Sequence, residues 1–325
     1  MQIDRRKFMA GVVATGVLPA AATIPVPARA AAPPVGKQAP GFYRFKVGDF
    51  EVTTLFDGNV KVADPNKFIV NKTPEEISVA LDAAAIPRDN MRNPFVPVVV
   101  NTGKNLVLID TGFGDNGPPG VGGLMGNMAA AGIDPKNIDT VLITHFHGDH
   151  ISGIRAKAGT ANYPNAEVIV ATSEYKFWTD EGEASRAAQV WKGGFAGVKR
   201  VFDPIAKDVK RAEYGNEVVP GITMIDSRGH SPGHASYLVT SGTGKLMVLG
   251  DVTNNPAIFA RNPEFQLWAD MIPDLALTNR RKLLDMASAD KIRVVGYHYV
   301  FPSTGYFVKQ GKGYEFAPAA WEGTL

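Results

Sequence analysis

The 325-residue sequence contains no cysteine, which excludes both a disulfide framework and a thiolate metal site. It has no low-complexity segment and no repeat at the periods of solenoid proteins. It also lacks a long apolar run near its start. The stretch from Phe8 to Ala22 is shorter than the roughly 20 residues that cross a bilayer, and Gly and Pro interrupt it. Hydrophobic residues make up 45% of the chain, enough for one large core or two smaller ones.

The first 30 residues have the features of an export signal. Arg5 and Arg6 precede a modestly apolar segment, and Ala28–Ala30 form an A-x-A cleavage site. The arginine pair resembles a twin-arginine signal. We therefore expect residues 1–30 to be a twin-arginine-type signal peptide and residues 31–325 to form a periplasmic or secreted domain. An uncleaved, anchored start is the alternative. A twin-arginine route carries proteins that have already folded.

A strong charge of one sign is also absent once this segment is removed. Residues 1–30 carry four basic residues and one acidic residue, a net charge of +3, whereas the whole chain carries +2. The remainder would carry −1, so nothing predicts nucleic acid or a membrane surface as a partner. We expect a small-molecule substrate, with a homodimer as a possible assembly.

Predicted strands and helices are mixed along the chain. Apolar strands around a Gly48-Asp49 turn, a hairpin over 95–112 and a buried strand over 137–145 alternate with helical segments. Thr73 followed by Pro74 predicts a helix start, residues 173–193 read as helical, and Pro273 to Ala287 form an amphipathic helix. Strands are also predicted later, including 292–299. The pattern favours two mixed sheets packed together with helices outside, an α+β fold, over a doubly wound parallel sheet.

Half of the six histidines lie in one short stretch, "THFHGDHISG", Thr144 to Gly153. In extended chain, residues two apart point the same way, so His145 and His147 can bind one ion. A turn after Gly148 lets Asp149 and His150 face elsewhere. Four such side chains so close together suit two metal ions, and imidazole with carboxylate suits zinc, manganese or iron.

Further candidate ligands follow predicted strands later in the chain. They are His234 in "RGHSPGHAS", Asp251 in "LMVLGDVT" and His298 in "VVGYHYVFP". Loops at strand ends are where site residues commonly lie. His230 is the one histidine left over, and we interpret it as a hydrogen-bonded supporting residue. Tyr297 and Tyr299, which flank His298 in the sequence, are expected to pack in the core.

These motifs together resemble the metallo-β-lactamase superfamily. The pattern H-x-H-x-D-H, a P-G-H turn, G-D after a strand and a late His occurs at 145–150, 232–234, 250–251 and 298, and "LVLIDTG" at 106–112 fits as well. The segments "APGFYRFKVGDFEVTTLFDG" and "GYHYVFPSTGYFVKQGKGYEF" are similar to methyl parathion hydrolase-like and lactonase-like members. The absent cysteine points to hydrolases other than the β-lactamases proper.

The resemblance implies a four-layer αββα sandwich with two divalent metal ions at one sheet edge. It assigns His145, His147 and His234 to one metal, Asp149, His150 and His298 to the second, and Asp251 to both. Asp149 and Asp251 would be catalytic, beside a hydroxide bridged by the two metals. Asp110 would orient a metal-bound histidine, while Trp178 and Phe177 would line the substrate pocket.

The implied activity is hydrolysis of an ester, a lactone or an organophosphate triester, with zinc as the expected metal. A dedicated acyl-homoserine lactonase and a glyoxalase II-type thioesterase are alternatives within the enzyme class. A non-catalytic periplasmic metal-binding protein is the alternative outside it.

Overall fold

The computed structural model describes residues 34–325, so the expected signal peptide lies outside the described residues. The strands are β1 Phe42–Val47, β2 Phe50–Leu55, β3 Gly58–Lys61, β4 Arg92–Phe95, β5 Val98–Asn101, β6 Leu106–Ile109, β7 Thr140–Leu142, β8 Glu167–Ala171, β9 Lys210–Ala212, β10 Glu217–Val219, β11 Ile222–Asp226, β12 Ala235–Ser241, β13 Gly244–Val248, β14 Arg293–Val295, β15 Thr304–Gln310 and β16 Gly313–Pro318. The helices are α1 Pro65–Phe68, α2 Pro74–Ala83, α3 Leu124–Ala130, α4 Gly148–Ile151, α5 Thr172–Thr179, α6 Glu181–Arg186, α7 Gln189–Phe202, α8 Pro256–Phe259 and α9 Pro273–Ala289.

The strands form two seven-stranded sheets and a small ribbon. The first sheet has the order β1-β2-β5-β6-β7-β8-β9, the second runs from β10 to β16 in sequence order, and β3 pairs with β4. In the first sheet β6, β7, β8 and β9 pair in parallel and the other strands are antiparallel. In the second, only β13 and β14 pair in parallel. Both sheets are therefore mixed.

Apolar layers on both sides of each sheet make the fold a sandwich. One buried cluster joins Val98 and Val107 of the first sheet to Met224 and Tyr237 of the second, so the sheets pack face to face. A second cluster covers the outer side of the first sheet with α3, α5 and α7. A third covers the outer side of the second sheet with α9. The predicted α+β, αββα architecture of the metallo-β-lactamase fold is confirmed.

Local signals account for several element boundaries. Thr73 accepts a hydrogen bond from the Glu76 backbone, Glu76 returns one to Thr73, and Pro74 occupies the first turn, so α2 begins where expected. The helix predicted over 173–193 is wrong in detail. Asp180 caps α6, and the extended backbone at Ala187 and Ala188 separates α6 from α7.

The strand predicted over 292–299 is also shorter than expected. It ends at Val295, and His298 lies in the loop that follows. The ends of β4, β6, β7, β13 and β14 lead into the loops that carry the candidate ligands or support them. Among residues 34–325, no helix is both long and apolar enough to cross a bilayer.

Candidate metal centre

The first half of the centre is delivered by β7. The buried strand ends at Leu142, and His147 has extended backbone directly before α4 begins at Gly148. The imidazole rings of His145 and His147 lie 4.4 Å apart, centroid to centroid. The expected turn after Gly148 is the first turn of α4, which carries Asp149 and His150.

Asp110 fixes the segment after β7 that carries these histidines. It follows β6, with a φ of +60°, a conformation that Asp tolerates better than most residues. Its Oδ1 accepts the Thr144 backbone N–H at 2.8 Å, and its Oδ2 accepts the Thr144 hydroxyl at 2.9 Å. The same Oδ2 lies 2.8 Å from His150 Nδ1, so Nε2 of His150 faces the cluster. The geometry fits the orienting role expected for Asp110.

The second half comes from loops after β13 and β14. Asp251 lies among imidazole nitrogens from both sides: its Oδ2 is 2.9 Å from His298 Nε2 and 3.2 Å from His230 Nε2. Its Oδ1 is 3.4 Å from His150 Nε2. His298 Nδ1 donates to the carbonyl of Pro94, on β4, at 2.8 Å. Asp251 therefore lies between the imidazoles of His230 and His298 on one oxygen and that of His150 on the other.

His230 and His234 lie in the same turn but contact different partners. The Nε2 of His230 lies 3.0 Å from His147 Nδ1, and its Nδ1 lies 2.9 Å from Asp270 Oδ1. His234 instead accepts the Asp251 backbone N–H at Nε2, 3.0 Å away, and its Nδ1 lies 2.7 Å from the Ser227 hydroxyl. Both ring nitrogens of His234 are thus engaged, as are those of His230. The structure groups His230 with His145 and His147, and the ligand assignment of His234 stays a prediction.

Glycines on either side of His230 set this arrangement. A Cβ on Gly229 would lie 2.1 Å from the backbone N of Ala276 on α9, at a φ of +131°. A Cβ on Gly233 would lie 2.1 Å from the backbone N of Glu174 on α5. Only glycine permits both approaches. The turn is thereby held between two helices, with His230 inside the cluster.

The cluster contains overlapping groups of potential ligand atoms, each within 4.8 Å of one another. They are His145, His147 and His230; His145, His150 and Asp251; and Asp149, His150 and His298. Four buried polar atoms of this cluster have no hydrogen-bond partner among residues 34–325: His145 Nε2, His147 Nε2, His150 Nε2 and Asp251 Oδ1. Buried polar atoms are seldom left unpaired, so several in one place indicate a missing ligand.

Electrostatics favour cations here. Burial lowers the pKa of His145 and His147 well below the ordinary value, so both rings are neutral. For His150 burial acts in the same direction, but the carboxylates of Asp149, Asp110 and Asp251 raise its pKa well above normal. Burial would raise the pKa of Asp149, yet His150 and His298 lower it to about 2. His145 and His147 therefore offer neutral imidazoles beside ionised carboxylates, and both are donors that divalent ions require.

The residues therefore fit two divalent ions. One group offers three imidazoles and the other two imidazoles with a carboxylate, while Asp251 stands between them.

A cavity of about 700 Å³ opens directly over this cluster. His147, Asp149, His230, Asp251 and His298 form part of its wall. Most of the rest is apolar: Val60, Val62, Phe68, Phe95, Phe113, Val190, Trp191, Leu267 and Trp268. Trp191 stacks on His147, with a centroid distance of 5.0 Å and an interplanar angle of 10°, and also on Trp268 at 5.7 Å.

The predicted pocket residues Trp178 and Phe177 do not line this cavity. Trp178 is buried to 1% exposure, and its indole N–H donates to Glu174 at 2.8 Å. It packs edge-on behind His147 at 5.9 Å. Phe177 packs against Phe195 at 5.7 Å in the outer core of the first sheet. Both predictions are wrong because α7, which starts only at Gln189, places Trp191 in front of α5 instead.

Glu174 is a buried residue that sequence reasoning missed. Its Oε1 accepts the backbone N–H of Phe146 at 2.7 Å as well as the Trp178 indole. Its Oε2 accepts the Gly233 N–H at 2.7 Å and the Ser231 hydroxyl. Burial raises the pKa of Glu174, and these four donors oppose that shift. Glu174 thus ties the loop of His145 and His147 to the turn of His230. A carboxylate in the middle of an otherwise apolar and aromatic helical face was the available signal.

Asp270 and Tyr297 were missed as supporting residues. Asp270 holds His230 and pairs with the buried Arg280 at 3.1 Å. The Tyr297 hydroxyl donates to the Asp149 carbonyl at 2.6 Å, and its ring lies 3.9 Å from the His150 ring. Tyr297 therefore packs against the centre itself. Tyr299 packs in the core against Phe316, as expected, with its hydroxyl bonded to Thr253.

Comparison with known proteins identifies relatives of this arrangement. The sequence model of the Metallo-beta-lactamase superfamily matches residues 96–298. An N-acyl homoserine lactonase of Bacillus thuringiensis is 22% identical over 232 residues, which cover 65% of this chain and 84% of the lactonase.

Two solved structures are similar over nearly the whole described chain. The hydrolase AbOPH, of the beta lactamase superfamily, is 28% identical, with a TM-score of 0.83 and coverage of 88% of this chain and 100% of its own. The dizinc quorum-quenching lactonase AidC is 23% identical, with a TM-score of 0.81 and coverage of 87% and 98%. At that identity the likeness to AidC concerns the fold.

Proposed function

The chain belongs to the metallo-beta-lactamase superfamily, and on that basis we propose that it is a hydrolase that uses two zinc ions to cleave a lactone or carboxylic ester. One observation carries the proposal. Four unpartnered buried ligand atoms, from His145, His147, His150 and Asp251, converge beneath a largely apolar cavity. A purely structural polar cluster would have its atoms paired with one another.

The proposed ligand sets follow the geometry. His145, His147 and His230 would hold one ion, Asp149, His150 and His298 would hold the other, and Asp251 lies near both groups. Asp110, Asp270 and the Pro94 carbonyl fix the rings of His150, His230 and His298 through their second nitrogens. Such outer partners orient the ligands and raise their basicity.

When bound, two adjacent ions lower the pKa of water to about 7 and polarise the substrate oxygen. Asp149 and Asp251 both line the cavity. His150 and His298 hold the pKa of Asp149 at about 2, so its carboxylate is ionised at neutral pH and offers a negative charge at the cavity wall. A substrate that fills this largely apolar cavity would displace water and so strengthen these electrostatic interactions.

The cavity suits a substrate whose carbonyl binds at the metal centre and whose large apolar portion is buried against the cavity wall. Its volume of about 700 Å³ falls within the range of sites for small molecules. The N-acyl homoserine lactonase of Bacillus thuringiensis makes a homoserine lactone with an apolar acyl chain the first candidate within this class. Aryl esters, phosphotriesters and thioesters are the competing substrates, and a protein that binds metal without turnover is the competing role.

A substrate panel tests this function. Purified chain, depleted of metal and then loaded with zinc, is assayed with N-acyl homoserine lactones, aryl esters, thioesters and a paraoxon-like triester. We expect kcat/KM to be highest for lactones or esters and to vanish after chelation. Zinc binding without turnover of any substrate would instead establish the non-catalytic role.

We also propose that residues 1–30 direct export by the twin-arginine route and that the protein acts outside the cytoplasm. The support is the Arg5-Arg6 pair and the A-x-A site that ends at Ala30. Cell fractionation with mass spectrometry of the mature N-terminus tests this. Export should yield a chain that starts at Ala31, and replacing both arginines with lysine should leave the protein inside.

A further inference from the structure

A buried guanidinium lies behind the metal centre, on the helix that covers the second sheet. Arg280 of α9 is 1% exposed, and its partner Asp270 is buried as well. The guanidinium Nη2 lies 3.1 Å from Asp270 Oδ2, and Asp270 Oδ1 lies 2.9 Å from His230 Nδ1. The carboxylate of Asp270 therefore stands between the guanidinium and an imidazole of the metal centre.

The same guanidinium holds two loops through their backbone carbonyls. Its Nε donates to the carbonyl of Val252, directly after Asp251 in the chain, at 2.9 Å. Its Nη1 donates to the carbonyls of Pro263 and Phe265, at 3.1 and 2.6 Å. These contacts connect the loop after β13 to the loop that precedes α9.

Stability alone is a weak reason for this arrangement. Burial of an ion pair costs desolvation energy, and replacing such a pair with apolar residues is often neutral or stabilising. The position of the pair instead fixes a geometry, since Asp251 Oδ2 lies 3.2 Å from His230 Nε2. Arg280 holds the backbone next to Asp251 on one side of this contact and the carboxylate bound to His230 on the other.

The two sides of the contact depend on Arg280 to different degrees. The backbone N–H of Asp251 also donates to His234 Nε2 at 3.0 Å, so that side has a second anchor. In the described part of the chain, Asp270 is the only hydrogen-bond partner of His230 Nδ1. Loss of the guanidinium should therefore act mainly on the ring of His230.

We propose that Arg280 is a positioning residue of the metal centre, which orients the His230 ring through Asp270. Arg280 does not line the cavity, so its effect reaches the reaction only through the ligand set. The inference rests on the proposed function, because it presumes that His230 binds one of two zinc ions. Loss of the guanidinium should weaken the binding of one ion and not of the other.

Zinc titration of the metal-free full chain, measured by calorimetry with a competing chelator, tests this role. The unaltered protein should bind two ions, and His230→Ala identifies the binding step that depends on His230. Arg280→Met, close in length but without donors, should raise the Kd of that step by about 10- to 100-fold, the range for an outer partner of a ligand. The Kd of the other step should change by less than about twofold.

The His230→Ala background separates positioning from general support of the fold. In that background the step that Arg280 serves is already lost, so adding Arg280→Met should change the remaining Kd by less than about twofold. A residue that merely stabilised the fold would weaken the remaining ion there as well.

Arg281→Met provides the matched control, because it makes the same change at the next position of α9. Arg281 is exposed and contacts the Lys312 carbonyl at 3.2 Å and Glu264 at 3.8 Å, so both zinc affinities should stay as in the unaltered protein. Arg280→Lys, which keeps the charge beside Asp270, serves if Arg280→Met does not fold. With one nitrogen in place of three, it should weaken the same step by about 3- to 10-fold.

The role of Arg280 is overturned if both steps weaken equally, if neither weakens, or if the weakened step is not the one that His230→Ala removes. A further loss of affinity in the His230→Ala background contradicts it as well. If the unaltered chain binds fewer than two zinc ions, the proposed two-ion centre itself has failed, and the role of Arg280 fails with it.

Discussion

At the scale of single residues, the centre is defined by which ring nitrogens are already occupied. His230 and His234 are four positions apart in one turn, and both are almost fully buried. Asp270 holds His230 at Nδ1 so that Nε2 faces Asp251, whereas the Asp251 backbone occupies Nε2 of His234. The distinction is therefore one of hydrogen bonding and not of distance along the chain.

Substitution of these two histidines should separate metal binding from folding. His230→Ala should reduce bound zinc from two ions to one and lower kcat/KM by more than the 10–100-fold typical of an outer partner. His234→Ala should retain two ions and destabilise the protein by about 1–3 kcal/mol, because the Asp251 N–H and the Ser227 hydroxyl lose their partner. Metal analysis gives the number of bound zinc ions, and chemical denaturation gives the free energy of unfolding. If His234→Ala lost an ion and His230→Ala retained two, His234 would be the ligand and His230 the supporting residue.

The sequence could not have assigned these roles. Seven ligand positions were expected, and the structure brings six of them together: His145, His147, Asp149, His150, Asp251 and His298. The seventh depended on the path of a turn. That path is set by Gly229 against α9 and Gly233 against α5, which are contacts with helices about 40 to 60 residues away in the chain. Local spacing carries no information about such contacts.

At the scale of elements, α5 holds two loops at a fixed distance from each other. Glu174 accepts hydrogen bonds from the loop after β7 and from the turn before β12. The helix thereby fixes the distance between His147 and His230. Sequence patterns predicted a helix here, but the predicted helix continued to residue 193. The break at 187–188, which brings Trp191 over His147, has no strong local signal such as proline.

Removing this carboxylate should weaken both the fold and the metal centre. Glu174→Ala leaves four buried donors without an acceptor, at about 1–3 kcal/mol each before relaxation. We expect the free energy of unfolding of the metal-free protein to fall by at least about 3 kcal/mol, with weaker zinc affinity as a result.

The matched control is Glu183→Ala on the neighbouring helix α6. Glu183 forms an exposed pair with Arg186, so its loss should cost no more than about 1 kcal/mol. Urea denaturation of both variants measures the two losses in the free energy of unfolding. Equal losses would mean that Glu174 does not link the two loops.

At the scale of the whole molecule, the sandwich brings distant strand ends to one place. The overall architecture followed from the sequence, because apolar strands of mixed connection and amphipathic helices leave few other ways to bury both faces. The walls of the cavity could not be predicted from the sequence. Its walls combine α1, the β3–β4 ribbon, the start of α7 and the loop of Trp268, and their mutual placement depends on packing between separate parts of the chain.

The central claim is that two metal ions, bound by this set of side chains, are required for hydrolysis. Stepwise addition of zinc to the metal-free protein tests it most directly, with bound metal and lactone or ester turnover measured on the same samples. We predict that two ions bind per chain and that full turnover requires both. Turnover that persists after thorough chelation, or a chain that binds no zinc, would contradict the account.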